Sequence, residues 1–417
     1  MQTERHYWRE HARTPRRPGH TRLQQVNSGN GNPVNFLYTN IGRGHPHYLD
    51  GIVECMRPEA VGEVSDVFGL TSGLSHRAWK VVRLAYHASG SGAPISTVYD
   101  RLRVHADYNR SWGMRDMLGG QLRRHYLDNE ARLVVSHPLV VGLVREKPNL
   151  VYQHGEIVAP RESWVRGGHR IVVPTGRVAD TLAANGFTRE QIFVSGLCIE
   201  PALLTQAEAA FHARIERLAG PTPLCGAFFA TGAEPRPHIA RLVAAAGSIV
   251  QAGGTALVFA SAEGQLASRA ETEFTATGVE LVCARTPDEV PRHIPSALLC
   301  LYSHRSELNE FTARLFGMFD YFVSAAHERS NWAMGLGLPM LLVDPSLGSY
   351  APLNREVLLQ SRVCHLIESR RDAVESSVVI GRLQRAGELV RMAQLGWGHF
   401  DIQGFRCIAD ALAVGSL

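Results

Sequence analysis

The pattern that most constrains this chain is an alternation of short, continuous apolar runs with helical stretches, interrupted once by a Gly/Pro cluster. Val34–Tyr38, Arg132–Ser136, Asn149–Gln153, Arg170–Pro174 and Gln191–Ser195 are β-type runs. Helical spacings fall between them: Leu49, Ile52, Val53 and Met56 in a helix starting at Tyr48, then His76–Ala88, Met114–Leu127, a helix from Pro138, and Gly176–Asn185. Strands apolar along their whole length, each followed by a helix, argue a parallel sheet covered on both faces. After Gly220-Pro221-Thr222-Pro223 the rhythm restarts, with strands at 224–229, 255–260, 279–283, 297–302, 321–324 and 339–343. Helices are expected at 237–251, 263–277, 307–316 and 331–336, and another opens at Asn354. The expected fold class is therefore α/β, with two parallel-sheet domains at 34–200 and 223–372 joined by a linker at 201–222. A helical tail at 373–417 is expected to cross back to the first domain. Open parallel sheets bind ligands at the carboxyl ends of their strands, so two of them in series predict a ligand cleft between domains.

Length agrees: 417 residues suit two cores. Residues 1–33 differ from the rest. They carry Arg5, Arg9, Arg13, Arg16, Arg17 and Arg22, no hydrophobic period, and the polar run Asn27–Pro33. The reading is a disordered basic arm, either a plain leader or a tether to an acidic partner or membrane surface. It has no apolar core of the secretory kind. No apolar run reaches the roughly 20 residues of a membrane span. The net charge of +4 is mild, and six arginines of the tail contribute to it, so a nucleic-acid partner is not expected. The seven cysteines are odd in number and scattered without a C-x-x-C pair. They read as buried thiols of a reducing cytoplasm, not as a disulfide set or a zinc site.

Two segments carry chemistry. In Gly42-Arg43-Gly44-His45-Pro46-His47, Gly42 and Gly44 permit close backbone approach of a ligand after the first strand. His45 offers an imidazole able to serve as a base near neutral pH. The alternative is a plain βα turn with surface histidines, or His45 as a helix cap. The second segment runs from Asp320 to Asn354. A buried strand leads to the turn His327-Glu328-Arg329-Ser330-Asn331, and the next strand to Asp344-Pro345-Ser346-Leu347-Gly348. Together with Gly232 after the strand 224–229, these residues are expected to line one anion-binding face, unless Ser330 is an ordinary N-cap. Asp66, His137, His154, Glu156, His304 and Arg305 are secondary candidates at strand ends; each is also an ordinary loop residue.

Gly42-x-Gly44-His45, the run Arg170–Ile199 with its helix closing on Gly186, and Asp320–Ser324 through Gly337-Leu338-Pro339 to Asn354 resemble the MurG-like and monogalactosyldiacylglycerol-synthase-like glycosyltransferases. The resemblance spans residues 34 to about 370. It implies the GT-B architecture, two Rossmann-like domains facing across a cleft, with the acceptor on the first and the nucleotide-sugar donor on the second. It further implies inverting, metal-independent transfer of a hexose-type sugar from a UDP-linked donor to a small-molecule, glycan or lipid acceptor. His45 would then be catalytic, and no cofactor beyond the donor would be needed. The implied place is the cytoplasm, with a peripheral membrane contact open. Three departures stand out. Trp332 occupies the slot of the family's ribose-binding Glu, with Glu328 the nearest carboxylate. Tyr350 and Ala351 fall where the sugar-binding acid or amide belongs. The first loop of the second domain, Ala230–Glu234, is poor in glycine. A diverged binding protein on the same scaffold, or a sugar-nucleotide epimerase or hydrolase, are the alternatives.

Overall fold

The computed structural model describes residues 33–41, 44–89, 107–109 and 115–417. The basic arm at 1–33 falls outside them except for its last residue, as does Gly42. The first half is a six-stranded parallel sheet in the order β2-β1-β3-β4-β5-β6. Its strands are β1 (Val34–Tyr38), β2 (Val61–Asp66), β3 (Leu133–Val135), β4 (Leu150–Gln153), β5 (Arg170–Val173) and β6 (Ile192–Val194). The second half is a seven-stranded parallel sheet, β13-β12-β11-β7-β8-β10-β9. It contains β7 (Cys225–Phe229), β8 (Thr255–Ser261), β9 (Leu281–Ala284), β10 (Ala297–Tyr302), β11 (Tyr321–Ser324), β12 (Met340–Val343) and β13 (Cys364–Ile367). Central strands such as β3, β10 and β11 are buried along their full length, which is why they read as unbroken apolar runs.

Both sheets reverse direction once. In the first, the chain moves from β1 outward to β2 and then returns to place β3 on the other side of β1. In the second, β7 leads outward through β8, and β11 later joins its opposite edge. The crevice outside the carboxyl ends at such a reversal is where doubly wound sheets hold ligands. The two reversals therefore mark the β1/β3 and β7/β11 junctions.

Several elements depart from the sequence expectation. The first helix begins at Gly44, not Tyr48, so His45 lies in its opening turn. Pro46 fits there because the first turn has no intrahelical acceptor for its absent N–H. The same reasoning moves the helix expected at Asn354 back to Ala351, with Pro352 in its first turn. β13 has no sequence signal of its own, and β2 only its end at Asp66. β2 is an edge strand carrying Gly62 and Glu63, and its Val64 is 53% exposed.

The helix Ala207–Ala219 is tied to the second half by Arg214, which is fully buried. Its Nε donates to the Phe319 carbonyl at 2.8 Å, and one terminal nitrogen to the carbonyls of Leu336 (2.9 Å) and Gly337 (3.1 Å). The final helix, Gly404–Ala413, leaves the second half and packs on the first-half helix Gly44–Cys55, with the Phe405 ring over Gly51. The crossing is closed by hydrogen bonds from Leu197 N to the Asp401 carbonyl (2.7 Å) and from Gly404 N to the Leu197 carbonyl (3.0 Å). A Cβ on Gly404 would stand 2.6 and 2.7 Å from the carbonyl oxygens of Gly196 and Leu197, which are backbone and cannot swing aside. Gly404→Ala should therefore destabilise the protein by about 1–3 kcal/mol through overpacking, read as a lower urea midpoint. An unchanged midpoint would mean that the crossing does not support the fold.

Candidate active site

The carboxyl ends of the two sheets face each other, and polar side chains bridge them. On the first half, the turn after β1 enters the helix carrying His45 and His47. Ser136, just past β3, donates its hydroxyl to the His45 carbonyl at 2.8 Å. His137 follows, its ring centroid 4.4 Å from that of His45. Tyr350, from the loop after β12, completes the group, with ring centroids 6.4 Å from His45 and 6.1 Å from His154.

β4 runs into His154-Gly155-Glu156. Gly155 is required because a Cβ there would sit 2.1 Å from the Tyr48 ring. His154 is a structural residue. Its Nε2–H donates to the Val158 carbonyl at 2.7 Å, and burial pulls it down to about 4, so it stays neutral and committed. Glu156 is different. It is buried, and Oε2 accepts from Asn354 Nδ2 of the second half at 2.9 Å. Burial pushes its carboxyl up to about 7; the Asn354 hydrogen bond opposes this and the nearby Glu328 charge reinforces it. A carboxyl held there exchanges protons near neutrality.

On the second half, Gly232, the His327–Asn331 turn and the Ser346–Gly348 loop follow β7, β11 and β12, three adjacent strands, so they emerge side by side from one edge. The Arg329 guanidinium lies over the rings of Phe229 (4.2 Å) and Trp332 (5.2 Å) and pairs with Glu328 at 3.2 Å. Burial alone would raise the Glu328 carboxyl, but Arg329, His327 and Arg305 outweigh it and hold it low. Asn331 Nδ2 donates to the Gly155 carbonyl across the seam at 3.3 Å and to the Glu328 carbonyl at 3.0 Å. Ser330 Oγ, Asn331 Oδ1, Asn354 Oδ1 and Arg329 Nε are all buried without a protein partner. An unsatisfied buried polar group costs about 1–3 kcal/mol, so several within one turn and its neighbour are a marked concentration.

The other sequence candidates separate. Ser346 is turned inward, its hydroxyl donating to Asp344 Oδ1 at 2.8 Å, and Gly348 supplies a left-handed φ of 79° to the same loop. Asp66 accepts from Phe68 N in its own turn and from Asn40 N in the turn after β1. His304 stands at the N-cap of helix Arg305–Leu315, with Glu307 accepting from its N–H. Arg305 spans the seam, donating to His47 Nδ1 and lying 3.5 Å from Asp50. Trp332, in the family's ribose slot, is core: its ring packs edge-on against Phe229, and its Nε1–H donates to Glu200 Oε2 at 2.8 Å. Glu162 and Glu200 are buried and accept from Ser349 and Trp332, partners so distant in sequence that nothing local marks either residue.

No family model and no curated protein matches this chain. Among solved structures it is similar to a Listeria monocytogenes protein assigned as a UDP-N-acetylglucosamine 2-epimerase, at 11% identity and a TM-score of 0.53 over 93% of this chain and 97% of that one. It is also similar to S. aureus MnaA, solved with UDP, at 8% identity and a TM-score of 0.51 over 90% and 94%. The glycosyltransferase WaaG aligns at 12% identity with a TM-score of 0.43, over 92% and 98%. At such identities the likeness speaks to the fold. Two Rossmann-like parallel sheets whose carboxyl ends face one another, closed by a returning C-terminal helix, are the GT-B architecture.

Proposed function

We propose that this chain binds a nucleoside-diphosphate sugar, UDP-linked, at the seam between the two reversals and transfers its sugar to an acceptor hydroxyl. The observation that carries the reading is the cluster of buried polar atoms without protein partners. Two amide oxygens and a hydroxyl, from Asn331, Asn354 and Ser330, suit the hydroxyls of a sugar, and the neighbouring Arg329 suits a diphosphate. Two solved structures that this chain resembles with TM-scores above 0.5 carry UDP in their names, which supports the same ligand class here. The acceptor lies on the first half beside His45. Its hydroxyl proton passes to the imidazole, its oxygen bonds to the anomeric carbon, and the nucleoside diphosphate leaves with the bonding pair. Attack opposite the leaving group gives inversion.

Binding is tested by thermal unfolding with a panel of nucleoside diphosphates and nucleotide sugars. A ligand present at about 100 times its Kd stabilises by roughly 2.7 kcal/mol. UDP compounds should raise Tm, and Asn331→Ala should shrink the rise. A panel that leaves Tm unmoved throughout would refute the reading. His45→Ala should cut turnover by roughly 10²–10⁴-fold, the usual contribution of a general base, without lowering Tm. Full turnover in that variant would leave His45 a structural residue of the helix start.

One observation favours a second reaction on the same ligand. Glu156 near neutrality, with Glu328 beside it, is a carboxyl pair of the kind that epimerisation or hydrolysis of a nucleotide sugar would use. Incubation in heavy water without acceptor tests it: deuterium incorporation or free sugar indicates this reaction, and an inert donor overturns it. The Glu156 environment is itself testable. A carboxyl raised from 4.5 to about 7 on folding stabilises the native state fully below pH 4.5, and that contribution is lost as pH rises through about 7. Glu156→Gln keeps a neutral acceptor for Asn354, so its Tm should exceed that of the wild type near pH 8 and match it near pH 4. Equal values at both would show that Glu156 is charged at ordinary cost.

A further inference from the structure

The ring of His45 is one of a pair. His137 sits 4.4 Å from it, tilted by 52°. The two are locked together through the backbone, since Ser136 holds the His45 carbonyl. His137 has a second tie. It precedes the helix Pro138–Val144, and the backbone N–H of Leu139 donates to its Nδ1 at 3.2 Å. A backbone amide can only donate, so Nδ1 is an acceptor and the neutral ring carries its proton on Nε2. A second proton would have to go on Nδ1, against the Leu139 N–H, and would cost that bond. The hydrogen bond made by one ring nitrogen thereby fixes the role of the other.

Resting on the sugar-transfer reading above, we propose that the two histidines divide the work: His137 is a positioning residue with a fixed Nε2–H, and His45 is the ring that accepts the proton. Two imidazoles this close resist holding two charges. With Nδ1 of His137 committed to Leu139, the proton released by the acceptor hydroxyl goes to His45. His137 gives up no proton. It stays neutral through the reaction and supplies a hydrogen-bond donor, which keeps the pair oriented as the oxygen–carbon bond forms and the bond to the diphosphate breaks. A neutral imidazole used as donor, beside a separate base, is an established catalytic arrangement.

Long-range proton–nitrogen correlation spectra of the full chain near pH 7 test this without substrate. The His137 signals are assigned by their loss in His137→Asn. The expected result is an unprotonated Nδ1 and a protonated Nε2. A proton on Nδ1, alone or on both nitrogens, overturns the proposal. His137→Asn also preserves a side-chain acceptor at the helix N-cap while removing the Nε2 donor. Its kcat should fall by roughly 10²-fold, the scale of a misoriented reacting group, with KM for the nucleotide sugar within about twofold of wild type. A purely structural cap would leave kcat unchanged, and that result also overturns the proposal. A wild-type chain that turns over no nucleotide sugar would sink the transfer reading, and the spectra would still decide the His137 tautomer.

Discussion

The structure depends on a polar seam in which each half satisfies the buried groups of the other. Arg305, from the second half, reaches His47 and Asp50 on the first-half helix, within the field of Glu200 and Glu328. Glu200 in turn accepts from Trp332, Glu156 from Asn354, and Glu162 from Ser349. Separating the halves would orphan these groups unless water replaced each partner. Buried ion pairs of this kind add little net stability, yet removing one partner is costly. The seam therefore selects one relative placement of the sheets rather than adding strength. That placement brings the helix carrying His45 within the fields of Arg329 and Glu328, which act on His47 and Tyr48, and Arg305 grips the same helix at His47 and Asp50.

The same seam explains the electrostatics. His47 is buried and kept neutral, first by burial and then by Arg305 and Arg329, so it serves as a hydrogen-bond acceptor for Arg305. Glu328 and Glu156 lie in one field and titrate in opposite directions. Arg329, with His327 and Arg305, holds the first low, while burial, with Glu328 close by, drives the second toward protonation. Environments that push two carboxyls apart in this way are the pattern on which the second reading, epimerisation or hydrolysis, draws. No element of the second half alone produces that contrast, since Glu156 belongs to the first.

The sheets were legible because their signal is local. Leu133-Val134-Val135 and Ala297–Tyr302 are apolar throughout, and a strand buried on both faces leaves that trace in sequence. The edge strand β2 was not, because half-exposed residues such as Val64 break the pattern. Helix starts slipped where a proline stands in the first turn, at Pro46 and Pro352. The site was legible in part. Strand ends and turns named the His327–Asn331 segment, but nothing local marks Glu162 or Glu200 as buried, or Arg305 as the bridge to His47. Those roles come from residues more than a hundred positions away.

Trp332 shows how a core side chain shapes the edge beside it. At the position where the resembling family has a ribose-binding Glu, the indole is buried among Phe229 and Phe322, with its N–H on Glu200. Its ring and that of Phe229 then form the surface on which the Arg329 guanidinium rests. A desolvated cation over aromatic faces gains on the order of 2 kcal/mol, so the indole helps hold a cation in this turn. The loop Ala230–Glu234 is short of the glycines that usually cradle phosphate through backbone N–H groups. Arg329, held rigid by the aromatic pair and by Glu328, puts positive charge on that same edge through a side chain.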